Sequence, residues 1–289
     1  MSIRISSNQM LDAGTQAMDN SLADATAWQQ KISSGKNYSN VSDNAYAVSR
    51  GVRLDFDLSR LTMFKANQNF LTSSHANAQT QLSSIIDGLN SLKQTFTQSQ
   101  NGSLNASNFG ALKIQAEQLR DTIKSQMVAK DATGNYIFGG TTINRVQIEP
   151  NVMVDSTIRF TDAFGTGGGL TTPTQSQLYI NIDQFVTYLT EKSLGNATTM
   201  TANQVETGLK SSFDQLTMAQ QISGGISAQV DASKSAMGAF GVEMAASQSA
   251  LLDTNLAEAT ASYTRAQTLL NAAQAMFARL QQSNLFSKL

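Results

Sequence analysis

The C-terminal part of the chain carries an apolar stripe whose members are separated by alternating steps of four and three residues. Such spacing is a heptad repeat, which gives an α-helix one apolar stripe that another helix has to cover. The stripe comprises Leu252, Leu256, Ala259, Tyr263, Ala266, Leu270, Ala273, Phe277 and Leu280. The sequence therefore predicts a C-terminal helix that packs lengthwise against a partner.

The N-terminus carries a shorter apolar stripe with a strict step of seven residues. Its members are Leu11, Met18, Ala25 and Ile32, and Gly35 just beyond them suits the left-handed position that ends a helix. Both terminal stripes are narrow and rich in alanine, so the two arms alone bury too little apolar surface to offset the cost of ordering them. We therefore expect the arms to pack on each other and to become ordered when copies of the chain assemble.

The pattern predicts a second, much longer helix after the first arm. Residues 42–43 are its candidate N-cap, and residues 101–102 end it. Gln68 and His75 occupy two positions of its heptad register where apolar residues would be expected. The apolar members of the register are Leu61, Phe64, Leu71, Ala78, Leu82, Ile85, Leu89, Leu92 and Phe96.

A third helix and a long return helix, which begins near Thr201, share the heptad spacing. The apolar face of the third helix comprises Phe109, Leu112, Ala116, Leu119 and Ile123. The register of the return helix comprises Val205, Leu209, Leu216, Ala219, Ile226, Val230, Met237, Phe240, Met244 and Leu251, with Ser212, Ser223, Ser233 and Ser247 at the remaining positions. The C-terminal stripe starts one residue after this register ends, so the stripe rotates around the helix there. We interpret the change as a boundary between an inner segment packed on the second and third helices and a terminal arm packed on the N-terminal arm.

The middle of the chain changes from a period of seven to a period of two, and both prolines fall there. Short strands are predicted at residues 136–138, 146–148, 152–154, 158–160 and 178–182, followed by one short helix over residues 183–194. The whole pattern predicts a mainly α fold. Its N- and C-terminal segments form a long antiparallel helical rod of coiled-coil type, which carries a small β-rich inserted domain.

The same patterns predict five segments. They are an N-terminal assembly arm at residues 1–41, the N-terminal part of the rod at 42–135, the β-rich insert at 136–200, the C-terminal part of the rod at 201–251, and a C-terminal assembly arm at 252–289.

Composition and charge then remove several classes of function. The net charge of -1 and the lack of a basic patch with interleaved aromatic residues speak against nucleic acid as a partner. No run of eighteen apolar residues exists, so we expect no membrane insertion, and the first residues do not form a Sec-type signal peptide.

Candidate chemistry is sparse. The chain has no cysteine and a single histidine, His75, so a thiolate site, a zinc site or a Ser-His-Asp triad is not expected. We interpret His75 as a solvated histidine or as one that flanks the stripe. The glycine-rich residues 165–169 and residues 33–36 do not fit a P-loop. The sequence therefore predicts no enzyme activity, cofactor or metal, and points to assembly.

Several motifs together resemble the flagellin superfamily. At the N-terminal side they are Arg-Ile-Ser-Ser-Asn-Gln-Met at residues 4–10, Ile-Ser-Ser-Gly-Lys at 32–36 and Asn-Val-Ser-Asp-Asn-Ala at 40–45. Later in the chain they are Gly-Asn-Tyr-Ile-Phe-Gly-Gly at 134–140 and Asp-Thr-Asn-Leu-Ala-Glu-Ala at 253–259, then Tyr263, Gln267 and Ala273. The last seven residues, Ser-Asn-Leu-Phe-Ser-Lys-Leu, are more similar to the ending of the superfamily's hook–filament junction proteins than to that of filament flagellins. The chain departs from the superfamily's pattern in two ways: it has Ile32 where the superfamily often has leucine, and its middle region is short.

This resemblance implies a structural component of the bacterial flagellum that joins hook to filament. It implies export in an unfolded state through the flagellar type III apparatus without cleavage, and hence a secreted, extracellular location. The implied partners are a hook-associated protein on the hook side, flagellin on the filament side, further copies of the chain in a ring, and an export chaperone on the C-terminal helices. Two alternatives stay open at this point: a filament flagellin, and an intracellular coiled-coil scaffold.

Overall fold

The computed structural model describes the backbone of residues 2–38 and 40–286, and within them the side chains of residues 9, 12–38 and 40–279. The elements are, in chain order, α1 (Ser2–Ser34), α2 (Ala45–Ser99), α3 (Ala106–Met127), β1 (Arg145–Glu149), β2 (Val152–Asp155), α4 (Phe160–Phe164), α5 (Gln177–Ser193), α6 (Ala202–Leu252) and α7 (Leu256–Phe286). The prediction of a mainly α fold with a small β region is confirmed.

The contacts divide the chain into two compact units. One unit, called the terminal unit below, comprises Met1–Arg60 and Phe240–Leu289. The other, called the central unit, comprises Leu61–Ala239. The division into five segments that the sequence suggests remains a prediction.

The ends of the first two helices follow from local chemistry. Gly35 ends α1 with a φ of 70°, the left-handed conformation that glycine adopts without steric cost. The predicted N-cap of α2 at residues 42–43 is wrong. The Asp43 carboxylate accepts a hydrogen bond from the Asn40 amide and closes a turn. The cap is therefore Asn44, whose side-chain oxygen accepts from the Ala47 amide at 3.0 Å.

The predicted α2 register forms the core of the central unit. Every apolar member from Phe64 to Phe96 is buried, and Leu61 is half-buried. Gln68 and His75 are buried as well, so the register continues through its two polar positions. The interpretation of His75 as solvated is therefore wrong, because its side chain lies fully buried within the stripe. Gln68 contacts Ser233, and His75 contacts Ser223, which shows that α2 and α6 run antiparallel here.

The α6 register is also confirmed for most of its length. Val205, Leu209, Leu216, Ala219 and Val230 are buried, and so are the serines at 212, 223 and 233. The position of Phe240 in the covered stripe is wrong, because this side chain is 54% exposed.

Helices α3 and α5 and an aromatic cluster complete the central core. The rings of Phe138 and Phe160 both pack edge-on against Phe164, with centroids 4.8 Å apart in each pair. Phe96 of α2 meets Phe185 of α5 at 5.7 Å. Each edge-to-face pair of this kind stabilises the fold by about 0.5–1.5 kcal/mol more than the burial of its apolar area alone would.

The strand predictions are correct only for the hairpin. Residues 146–148 and 152–154 pair antiparallel in β1 and β2. The strands predicted at 136–138 and 158–160 are wrong, because these segments form only isolated bridges, and Phe160 begins α4.

The predicted strand at residues 178–182 is also wrong, since it forms the first turns of α5. Ser176 caps this helix by accepting a hydrogen bond from the Tyr179 amide. Leu178, Ile182 and Phe185 then lie on one buried face, whereas Ile180 is exposed. The run of alternating apolar residues at 178, 180 and 182 matched a strand, but the longer helical period through Leu189 determines the structure.

We predict that Ile85→Ala lowers the free energy of unfolding by about 2–5 kcal/mol, because Ile85 is fully buried in the α2 stripe and truncation leaves a cavity. Ile114→Ala on α3 is the matched control, since Ile114 is 57% exposed and its truncation should change stability by less than about 0.5 kcal/mol. Urea denaturation followed by circular dichroism measures both. Equal losses of unfolding free energy in the two variants would contradict the assignment of Ile85 to the buried α2 stripe.

Candidate assembly site at the chain termini

Helices α1 and α7 pack against each other in the terminal unit. Gly14 lies beside Phe277, and the turn after α1 lies beside the turn before α7, so the two helices run antiparallel. The side chains buried between them are mostly alanines: Ala25, Ala259 and Ala266. α7 thus packs on α1 within the single chain, and the assignment of residues 252–289 as a C-terminal assembly arm remains a prediction.

The predicted stripe residues fall into distinct groups. Ala25, Leu252, Ala259 and Ala266 are buried. Those that are half-buried are Met18, Ile32, Tyr263, Leu270, Ala273 and Phe277. Leu256 is 56% exposed at the first position of α7, where the Asn255 side chain caps the helix. The side chains of Leu11 and Leu280 lie outside the described residues.

A short antiparallel bridge joins the two turns of the terminal unit. The Asn37 amide donates to the Leu252 carbonyl at 2.7 Å, and the Thr254 amide donates to the Gly35 carbonyl at 2.9 Å. We call residues 35–37 and 252–254 the turn clasp. It lies where the apolar register changes between residues 251 and 252, and α6 ends at Leu252. The end of α6 coincides with the change of register, and the segment boundary at this point remains a prediction.

The sequence analysis missed Gly51, which sits on α2 against Leu252. A β-carbon added to Gly51 would lie 2.5 Å from Leu252 Cδ1, so this glycine permits close approach of the two segments. Asp55, one turn later, accepts a hydrogen bond from the Gln248 side chain. The available signal was a glycine inside a long helical pattern, which often marks such an approach.

An apolar groove of about 550 Å³ runs between α1 and α7. Ala13, Gly14 and Ala17 line its α1 side, and Ala273, Met276, Phe277 and Arg279 line its α7 side. Met276 is 65% exposed beside it. The groove therefore has small side chains on its α1 wall, and its α7 wall combines the large apolar Met276 and Phe277 with the small Ala273 and the charged Arg279.

The described part of the chain contains no group of three His, Cys, Asp or Glu side chains placed to hold a metal ion. Among the described helices, none has the length and apolar character required to cross a membrane.

Residues 5–142 match the family model described as the bacterial flagellin N-terminal helical region. Over 138 residues, 48% of the chain, the sequence is 24% identical to the flagellar hook-associated protein 3 of Salmonella typhimurium and, equally, to that of Escherichia coli. The match covers 44% of each relative, so the chain spans less than half the length of these relatives.

Solved structures show the same fold. A putative flagellar hook-associated protein from Vibrio parahaemolyticus superposes with a TM-score of 0.63 at 17% identity, over 72% of this chain and 99% of that one. A flagellar hook-associated protein 3 from Legionella pneumophila gives 0.61 at 13% identity, over 69% and 98%. The family match and the two curated relatives confirm the resemblance to the flagellin superfamily, and the solved structures show the fold.

We predict that Gly51→Leu destabilises the terminal unit by about 1–3 kcal/mol, because the new side chain meets Leu252. Gly110→Leu is the matched control, since a β-carbon there has nothing within 4 Å. Urea denaturation followed by the fluorescence of Trp28, the single tryptophan, reports on this unit.

The double variant Gly51→Leu with Leu252→Ala tests whether the contact is specific. It should be more stable than the sum of the two single changes predicts, because the smaller residue makes room for the larger one. Strict additivity would show that the two positions do not contact each other.

Proposed function

We propose that this chain, whose residues 5–142 match the flagellin N-terminal helical region, is a structural subunit of the bacterial flagellum that joins hook to filament as a hook-associated junction protein. The observation that carries the proposal is this match together with similarity to two hook-associated proteins 3 over 138 residues of the chain. A subunit of this kind acts by packing and needs no catalytic group.

In this proposal the two terminal arms are the assembly elements. The stripe of Leu11, Met18, Ala25 and Ile32 packs with Leu256, Tyr263, Leu270 and Phe277 in the assembled state. Leu252, Ala259, Ala266, Ala273 and Leu280 complete the interface. The groove between α1 and α7 and the exposure of Leu256 support the proposal, because both leave apolar surface for a neighbouring copy to cover.

The proposed partners follow from the position of a junction subunit between the hook and the filament. A hook-associated protein would contact it on the hook side, flagellin on the filament side, and further copies would complete a ring. Before assembly, an export chaperone would bind the C-terminal helices while the chain leaves the cell unfolded through the flagellar export apparatus. The mature protein would then be extracellular.

We predict that deletion of the encoding gene leaves hooks without filaments, while flagellin accumulates in the culture medium. A junction subunit forms a thin layer, so its loss removes the surface on which filament growth starts. Electron microscopy of cells and immunoblotting of the medium measure both effects. Filaments composed mainly of this chain would favour a filament flagellin instead, and detection only in the cytoplasm would favour a scaffold.

We predict that Leu270→Asp abolishes incorporation into flagella and leaves the central unit folded. Leu270 is half-buried between the arms, where a carboxylate would be desolvated without a partner. Ile114→Asp is the control, because it places the same charge at an exposed position of α3. Gold immunolabelling of sheared hook–filament structures is the measurement. Normal labelling of the joint in the Leu270→Asp strain would refute the proposed stripe.

A further inference from the structure

Helix α2 holds the β1–β2 hairpin through two pairs of side-chain donors that lie seven residues apart. In the first pair, Asn67 donates to the Gln147 carbonyl at 2.8 Å and Gln68 donates to the Ile148 carbonyl at 3.0 Å.

In the second pair, Ser74 Oγ donates to the Ser156 carbonyl at 2.7 Å, and His75 Nε2 lies 3.1 Å from the Asp155 carbonyl. A carbonyl only accepts, so Nε2 carries a proton in this bond. A spacing of seven residues is two helical turns, which aligns both pairs with the hairpin.

A small apolar cluster supports this attachment. Leu71 of α2, which lies between the two donor pairs, packs with Ile148, Val154 and Val230. The four acceptors are backbone carbonyls, so the hydrogen bonds do not depend on which side chains the hairpin carries. Among the described residues, the attachment comprises these four polar contacts and the apolar cluster, against which the partly buried Val146, Val152 and Ile226 also pack.

His75 differs from the other three donors because it titrates near neutral pH. Its ring is fully buried between α2, α6 and the hairpin. Nδ1 lies 3.2 Å from Ser223 Oγ, which donates to it when the ring is neutral. Burial lowers the pKa of His75, and its bond to the Asp155 backbone and the charge of the Asp155 carboxylate oppose that shift.

The charges that face His75 come from the hairpin side. The Asp155 carboxylate is already paired with Arg145 at 3.5 Å and with Arg159 at 3.8 Å. Residues 71–79 of α2 and 219–227 of α6 contain no charged side chain other than His75 itself. A protonated imidazole would therefore be a buried cation with one counter-charge that two arginines share.

Hydrogen bonding does not resist protonation of the ring. Protonated Nδ1 would donate to Ser223 Oγ, and the Ser223 hydroxyl would turn to the His75 carbonyl, which lies 3.4 Å away. The cost of protonation is thus loss of hydration, and exposure of the ring to water relieves it.

We propose that His75 makes the attachment of the β1–β2 hairpin sensitive to pH, so that acidification favours an open state in which the hairpin has left α2. The hairpin is the element that opens, because two short strands and one small cluster hold less free energy than the long α2–α6 stripe. In the open state His75 is hydrated and has its ordinary affinity for protons.

The direction follows from linkage. Between the lowered pKa of His75 in the closed state and its ordinary value near 6.5, the open state binds up to one more proton than the closed state, so the opening equilibrium shifts toward the open state as the pH falls. Between pH 7.5 and pH 5.5 the opening constant should rise by up to about tenfold. Above pH 7 it should not change, because His75 is the single histidine of the chain.

Hydrogen exchange of the full chain, corrected for the intrinsic effect of pH, measures the opening. The amides of residues 145–156 should open more often at pH 5.5 than at pH 7.5, by up to about tenfold, whereas those of residues 82–96 in α2 should not change. His75→Gln should remove the pH dependence, because an amide side chain keeps a donor for Asp155 and an acceptor for Ser223 without titrating.

Equal opening of the hairpin at both pH values would overturn the proposal. So would an unchanged pH dependence in His75→Gln, or an equal loss of protection in residues 82–96, which would indicate unfolding of the whole unit. Titration of the His75 ring protons by NMR needs no variant. A midpoint below pH 6.5 is expected, and a midpoint at or above that value would also overturn the proposal.

Discussion

The structure depends on keeping a narrow stripe in register along very long helices. α2 has 55 residues and α6 has 51, and helices of this length gain most of their stability from the face that packs. Each position of the stripe must then be either apolar or fully hydrogen-bonded, because an unsatisfied buried polar group costs about 1–3 kcal/mol. α2 meets the condition at Gln68 and His75, where α6 serines and hairpin carbonyls supply the partners. The two polar positions of the α2 register are thus the points at which the β1–β2 hairpin is hydrogen-bonded to the helix.

The need to keep the stripe against a partner helix also explains why the helix breaks where the register changes, at residues 251–252. A continuous helix would carry its stripe away from the partner after a one-residue shift, since each residue turns the helix by about 100°. The chain instead ends α6 at Leu252, passes through three residues and begins α7 at Leu256. Backbone groups that lose their helical partners at this break form hydrogen bonds with residues 35–37, which follow the end of α1. The two helix ends thus supply hydrogen-bond partners to each other.

Heptad spacing was therefore the most reliable signal in the sequence. It located the buried stripes of α2 and α6, and its change at residues 251–252 coincides with the break between α6 and α7. The middle region was harder, because residues 178–182 satisfy both a strand and a helix pattern over so few residues. Ser176 as an N-cap and the apolar positions up to Leu189 decide between them. Gly51 could not be recognised as a contact, since its role depends on Leu252, some two hundred positions away in sequence.

The two units differ in what they bury, and the difference bears on assembly. The central unit encloses large side chains such as Phe138, Phe164 and Phe185. Between α1 and α7, the buried side chains are alanines, each of which removes about one methyl group from water. That gain, about 0.8 kcal/mol, is smaller than the cost of about 1–2 kcal/mol for ordering one backbone residue. In the proposed assembly, an arm pair of this composition would gain stability by burying its half-exposed leucine, methionine and phenylalanine side chains against further helices. A core that is complete in itself, and termini that keep apolar surface for neighbours to cover, are the properties expected of the proposed subunit.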